Sequence, residues 1–289
     1  MATFTNQATM TYNGNTVNSN VVTGEIVRAL TIDKTAVGTR YEPDGVVAYV
    51  VNIRNSGAAA VTGLTLTDDL GSYSFTPTGG TAVQLTPLTY VADSMRYFQN
   101  GVEQTAPTVT ARANGFTVTG LTVPAGGVAT LAYRARVNGF ANTGAEGTVE
   151  NTVTLTGGGL LEPVTATETI AAVEDARLSI RKALSPAQVN DNGTLTYTFV
   201  IENTGAAAAG VDANIVVSDT FDPILKNISV TYAGDTWAAA NYSYNETTGV
   251  FRTTAGTITV PAATVTQDPT TGAWTTVPGS VTLEITGTI

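Results

Sequence analysis

The sequence predicts an all-β protein, and three observations predict it. The first is composition: of 289 residues 43% are hydrophobic and 12% charged, with 29 Gly and 11 Pro. Threonine leads the polar residues, and Thr with Val, Gly and Asn suits short strands and tight turns rather than helices built from Glu, Lys, Arg and Leu. The second is alternation of apolar and polar residues in short runs, punctuated by Pro43-Asp44-Gly45, Asn55-Ser56-Gly57, Asn190-Asp191-Asn192-Gly193 and Thr247-Thr248-Gly249. Strands at this spacing, with no helical period, read as antiparallel sandwiches of immunoglobulin-like type. The third is an internal repeat. Leu30 to Lys34, Gly45, Tyr49 and Asn55-Ser56-Gly57 recur at constant offset as Leu178 to Lys182, Gly193, Tyr197 and Asn203-Thr204-Gly205. After a small slip Leu64 to Leu70 is matched by Ile215 to Phe221. Such a repeat means two copies of one domain.

Three segments follow: an N-terminal arm over 1–24, a first sandwich over 25–172 and a second over 173–289. The copies end differently. Val128 to Val137 is a penultimate strand, followed by a last strand Thr148 to Thr156. In copy two Val281 to Thr286 matches the penultimate strand, with Leu283 over Leu131, and the sequence ends at Ile289. Copy two is therefore expected to lack its final strand. Thr3 to Thr11 lays over Thr148 to Thr156, with Asn6 on Asn151, Ala8 on Val153 and Met10 on Leu155. The arm is expected to be that closing strand, displaced to the front. A disordered tail and closure onto the arm's own copy two are the alternatives.

Charge and residue usage exclude several functions. A net charge of −10 opposes nucleic acid and anionic membrane partners. With no His and no Cys, the usual zinc and iron ligand sets, thiol nucleophiles and Ser-His-Asp machinery are absent. No metal and no cofactor are expected, and an enzyme acting on an external substrate is the poorest reading. No run is long and apolar enough to span a bilayer. Met1 to Asn6 has neither the basic region nor the apolar core of a secretory signal.

Strand alternation assigns faces. Leu30, Ile32 and Lys34 share one, as do Leu178, Ile180 and Lys182. Leu64, Leu66, Asp68 and Leu70 share another, matched by Ile215, Val217, Asp219 and Phe221. Val149, Asn151, Val153 and Leu155 share a third, matched by Phe4, Asn6, Ala8, Met10 and Tyr12, the arm's anchors. Lys, Asp and Asn thus recur at matched points on core-facing stripes, where a charge is costly. Burial lowers a lysine pKa and raises that of an aspartic acid. A neutral amine beside a protonated acid can attack a polarised Asn carboxamide, expel ammonia and leave an uncharged amide. The plainer alternatives are an ion pair with Asp, or an ammonium led out to solvent.

Lys in a first strand, Asp in a middle strand and Asn in a last strand is the order of the isopeptide-forming domains of Gram-positive adhesins and pilins, which this sequence resembles. The motifs Tyr49 to Gly57, Tyr197 to Gly205 and Gly147 to Thr154 resemble the bacterial surface repeat family catalogued as domain of unknown function eleven. The resemblance implies a structural role on a cell or spore surface, and cross-links Lys34–Asn151 assisted by Asp68 and Lys182–Asn6 assisted by Asp219. The functional expectation is an extracellular fibre subunit that binds copies of itself head to tail by donor-strand complementation. The alternative is a monomeric adhesin stalk or glycan-binding module, with Trp237, Tyr242, Tyr244 and Trp274 as a stacking patch. The loop 190–193 reads as a turn rather than a calcium site.

Overall fold

The computed structural model describes residues 2–26 and 29–289. The arm forms β1 (Ala2–Asn6), β2 (Thr9–Tyr12), β3 (Asn15–Asn18) and β4 (Val22–Ile26). The first sandwich begins with β5 (Leu30–Val37), β6 (Arg40–Tyr41), β7 (Val46–Asn55) and β8 (Val61–Asp68). Short strands β9 (Tyr73–Phe75), β10 (Val83–Leu85), β11 (Leu88–Tyr90), β12 (Arg96–Gln99), β13 (Val102–Gln104) and β14 (Val109–Arg112) follow. Long strands β15 (Gly115–Val123), β16 (Val128–Val137), β17 (Thr148–Gly157) and β18 (Val164–Ala172) complete it. The second sandwich has β19 (Leu178–Ser185), β20 (Thr194–Asn203), β21 (Ser218–Thr220), β22 (Lys226–Tyr232), β23 (Asp235–Thr236) and β24 (Tyr242–Tyr244). It ends with β25 (Val250–Thr253), β26 (Thr264–Gln267), β27 (Trp274–Val277) and β28 (Gly279–Thr288). Helix is confined, among the described residues, to 3-10 turns at Val211–Ala213 and Ala239–Asn241. The protein is all-β, built as two immunoglobulin-like sandwiches with an N-terminal arm.

In the first sandwich β13-β12-β16-β7-β5 faces β14-β15-β8-β17-β18-β6. Alternate residues of β7, β8, β16 and β17 point inward, and Tyr49, Val51, Ile53, Leu64, Leu131 and Leu155 are wholly buried. Strand β17 lies between β8 and β18, so the last hairpin fills the middle of its sheet. The second sandwich repeats the first layer as β19-β20-β28-β22-β23, around a core that includes Leu195, Phe221, Phe251, Leu283 and Ile285. Its facing layer is only β21-β25-β24. Counterparts of β17 and β18 are missing from residues 178–289. The stretch matching β8 has accordingly lost most of its ladder: residues 211–217 carry no strand, and β21 pairs with β25 alone.

The arm folds as a hairpin: β1 pairs β4, and β2 pairs β3 with Tyr12 opposite Asn15. Asn13 and Gly14 turn it with φ of 46° and 80°, the two positive angles that a two-residue hairpin loop demands. Ala8 bonds Ser19 through backbone and hydroxyl, and three residues oppose two at this bulge. Every hydrogen bond of the arm, among the described residues, lies within the arm.

The two sandwiches are braced. Copy one turns from β15 to β16 through Pro124 to Gly127, whereas copy two inserts the β26–β27 hairpin at that point. The insertion reaches the first sandwich: Thr78 N–H donates to Pro269 O at 2.8 Å, Trp274 N–H to Gly139 O at 2.8 Å, and Gln267 Nε2 to Tyr73 OH at 3.1 Å. Arg177, before β19, pairs with Glu42 at 2.7 Å.

Candidate functional site

In the first sandwich, edge strand β5 turns Leu30 and Lys34 inward, β8 turns Leu64, Leu66 and Asp68 inward, and β17 does the same with Val149, Asn151 and Val153. Lys34, Asp68 and Asn151 are all buried. Lys34 Nζ lies 2.9 Å from Asp68 Oδ2. Tyr133, from β16, donates its hydroxyl to the same Oδ2, and Asn151 Nδ2 donates to the Tyr133 hydroxyl oxygen at 3.4 Å. Leu70 N–H donates to Asp68 Oδ1 at 2.8 Å. Asp68 therefore links the lysine to the asparagine through a tyrosine. Asn151 Oδ1 and the Tyr49 hydroxyl are buried without partners, an uncommon state for polar atoms in a core.

Burial holds the Lys34 pKa below the usual lysine value, against the opposing pull of the Asp68 charge. Burial likewise raises the Tyr133 and Tyr49 phenols, so both stay neutral. Lys34 Nζ sits 4.9 Å from the centroid of the Tyr49 ring, which stacks on Tyr133 at 5.5 Å. An amine inclined to lose its proton, a carboxylate able to take it and a carboxamide with a free carbonyl oxygen share one dry compartment. Chemically this arrangement can form an amide and release ammonia.

Gly115 explains how the sheet closes there. A Cβ at that position would stand 1.8 Å from the Asp68 carbonyl oxygen, and its φ is +117°, a backbone conformation that glycine tolerates. Only glycine lets β15 approach β8 beside the carboxylate.

In the second sandwich the same pair stands in the open. Lys182 Nζ bonds Asp219 Oδ2, but the Lys182 side chain is 41% exposed. Its ammonium lies over the rings of Tyr197, Phe199 and Phe221 at 4.4, 5.5 and 5.6 Å. All of β19 is exposed, including Leu178, Ile180 and Leu184, whereas Leu30 of β5 is buried. Ile285 occupies the place of Tyr133. Asn6 is exposed on the arm and hydrogen-bonds neither Lys182 nor Asp219. Phe4, Ala8, Met10 and Tyr12 are exposed beside it. The structure thus brings Lys34, Asp68 and Asn151 together, brings Lys182 to Asp219, and leaves Asn6 apart.

Sequence reasoning passed over Tyr133, whose position inside the alternating stripe of β16 was its signal, and Gly115. It also left unexplained the paired asparagines of the Tyr-to-Gly motif. Asn55 Nδ2 donates to Ala59 O and Pro124 O while its Oδ1 accepts from Gly57 N–H. Asn203 repeats this with Ala207 O, Pro261 O and Gly205 N–H. The motif is a buried corner that ties two loops. Of the four aromatics considered as a stacking patch, Trp237 and Tyr242 stack on each other at 6.4 Å and join Tyr244 through Phe251 and Phe221, whereas Trp274 stands apart. Trp237 stacks on Tyr232 at 5.0 Å, Tyr242 packs on Phe251 and Tyr244 on Phe221, while Trp274 belongs to the bracing hairpin.

No family model matches the chain, and no curated protein matches it. Among solved structures it is similar to the pilus backbone protein of Streptococcus pneumoniae, at 12% identity over 86% of this chain and 55% of that one, with a TM-score of 0.35. It is similar to the major pilin subunit of Bacillus cereus at 12% identity, over 96% and 73% of the two chains, with a TM-score of 0.35. It is similar to the collagen-binding domain of a Staphylococcus aureus adhesin at 11% identity, over 50% and 99%, with a TM-score of 0.30. The chain spans about half the length of the first of these.

Proposed function

We propose that the chain is a structural subunit of an extracellular bacterial fibre, assembling head to tail by donor-strand complementation. The arm hairpin of one copy fills the second sandwich of the next, in the place that β17 and β18 take in the first. The observation that carries this reading is a match between a deficit and a surplus. The second sandwich leaves Leu178, Ile180 and Leu184 in water and β21 paired on one side only. The first half of the arm hairpin, β1 and β2, carries Asn6, Ala8 and Met10 in alignment with Asn151, Val153 and Leu155, and its Phe4, Met10 and Tyr12 are each more than half exposed. Burying what remains exposed of these three side chains contributes about 2–5 kcal/mol, before the strand hydrogen bonds are counted. A contact between two different faces of one subunit propagates instead of closing.

In the seated state Asn6 stands where Asn151 stands, and Lys182 forms the amide with it, assisted by Asp219. The reaction is a single turnover that joins neighbouring subunits covalently, and no external substrate is turned over. The surface location rests on the resemblance of the motifs in both copies. Negative-stain microscopy of the purified chain, with and without residues 1–26, tests the assembly. Fibres from the full chain and none from the truncated chain are expected; monodisperse monomers of the full chain at high concentration overturn it.

A further inference from the structure

The Lys–Asp–Asn set leaves one step without an agent. Ammonia can depart only if Asn151 Nδ2 gains a proton, and Lys34, which must lose protons, is bonded to Asp68 rather than to that nitrogen. The Tyr133 hydroxyl is the group placed between them: it donates to Asp68 Oδ2 and accepts from Asn151 Nδ2. It is buried, and its ring is fixed by Tyr49 at 5.5 Å, Phe116 at 5.1 Å and Tyr90 at 6.4 Å.

We propose that Tyr133 is a catalytic residue of amide formation in the first sandwich, carrying the proton from Asp68 to the departing nitrogen of Asn151. The inference rests on the cross-linking reading above and adds a residue to it. The ammonium of Lys34 first gives a proton to Asp68. The free amine adds to Cγ of Asn151, forming the Nζ–Cγ bond and sending the carbonyl electron pair to Oδ1, the atom with no partner in the core. Once Asp68 is protonated the hydrogen bonds of the bridge reverse: the carboxyl donates to the Tyr133 oxygen, and the Tyr133 hydroxyl donates to Nδ2. The Cγ–Nδ2 bond breaks as Tyr133 delivers its proton and recovers one from Asp68. Asp68 takes the second proton released by Nζ. The products are a Lys34–Asn151 amide, one ammonia and a neutral Asp68 carboxyl, so atoms and charge balance. In copy two the matching residue is Ile285, so proton delivery to the departing nitrogen falls to Asp219 alone, and the Lys182–Asn6 amide is expected to form more slowly than the Lys34–Asn151 amide.

The test is the rate of cross-linking in the full chain during pulsed cell-free synthesis. Samples are quenched in denaturant, and the Lys34–Asn151 peptide pair is followed by the loss of one ammonia in mass. Tyr133→Phe keeps the ring and removes the bridge; proton transfer of this kind is worth roughly 10²-fold or more, so a slowing of that order is expected with an unchanged near-ultraviolet dichroism spectrum. Replacement of Tyr133 by 3-fluorotyrosine keeps the shape and the hydrogen bonds while making the phenol a stronger acid, and a faster reaction is expected. Equal rates for wild type and Tyr133→Phe overturn the role of Tyr133 and leave the cross-link standing, as does a fluorotyrosine protein that reacts no faster. If wild type itself loses no ammonia at this pair, the cross-link and the role of Tyr133 fall together. A Tyr133→Phe chain that does not fold leaves the decision to the fluorotyrosine protein.

Discussion

Lys34 and Asp68 meet at 2.9 Å with both side chains withdrawn from solvent, whereas their counterparts Lys182 and Asp219 meet at a face where the lysine is 41% exposed. The sequences around the two pairs are similar, and the lysine strands β5 and β19 match in length, but Asp68 sits on a strand paired on both sides and Asp219 on a three-residue strand paired on one. What differs is the hairpin that covers them: β17 and β18 in one sandwich, no counterpart in the other. Covering converts an ordinary surface ion pair into a desolvated one, which is the condition that amide formation needs.

The two pairs should therefore respond differently to loss of the lysine. In a chain carrying Asn151→Ala, where no amide can form, Lys34→Met strands a buried carboxylate and is expected to lower stability by about 3–5 kcal/mol. Lys182→Met in the arm-deleted monomer should change it by less than about 1 kcal/mol. Urea denaturation followed by tryptophan fluorescence and circular dichroism measures both; equal small changes would show that the first pair is not desolvated.

Gly115→Ala forces a Cβ to within 1.8 Å of the Asp68 carbonyl in a left-handed backbone conformation. A loss of about 1–3 kcal/mol is expected from backbone strain alone, together with slower cross-linking in the first sandwich. Gly120→Ala, with φ +75° and no atom near its Cβ, is the control: strain without collision, and a normal cross-linking rate.

Alkaline pH should unfold the first sandwich before simple charge repulsion does. Burial raises Tyr41 to about 12, and raises Tyr49 and Tyr133 as well. A phenol whose folded pKa exceeds its unfolded value of about 10 adds stability that is complete below that pH and is lost as pH climbs through the folded value. For Tyr41 the window runs from about 10 to about 12. Tyr41→Phe should flatten the fall of stability across it, and an unchanged slope would contradict the assignment.

The bracing hairpin should set the relation of the two sandwiches. Replacing residues 261–278 by the Pro-Ala-Gly turn of copy one removes the contacts to Gly139, Tyr73 and Thr78. Small-angle scattering is expected to show a broader spread of inter-sandwich distances, with the midpoint of each sandwich's unfolding little changed. A scattering curve identical to wild type would mean that the Arg177–Glu42 pair and the linker suffice.

The fold was largely legible because period-two alternation and an internal repeat are local signals. The faces of Lys34, Asp68 and Asn151 followed from that alternation alone. The pairing within the arm was not legible, because alternation identifies a strand but not its partner: Asn15–Asn18 and Val22–Ile26 carry weak polar patterns, and pairing with β2 and β1 is a contact across the turn. Tyr133 looked like any core aromatic, since nothing in β16 tells a hydroxyl bonded to a carboxylate from one led to solvent. Gly115 was hidden for the same reason: its need arises from Asp68, far away in sequence.

The central claim is that the arm of one subunit completes another, and mixing two defective chains tests it most directly. Lys182→Ala retains a competent arm and has no receiving lysine; Asn6→Ala retains the lysine and has an incompetent arm. Each alone should run as monomer after boiling in denaturant. Mixed in equal amounts they should give a heterodimer that survives boiling, in which the Lys182 peptide of one chain is joined to the Asn6 peptide of the other with loss of one ammonia, and nothing larger. No heterodimer from the mixture, with a wild-type chain that joins Asn6 to Lys182 within itself or not at all, would contradict assembly between subunits.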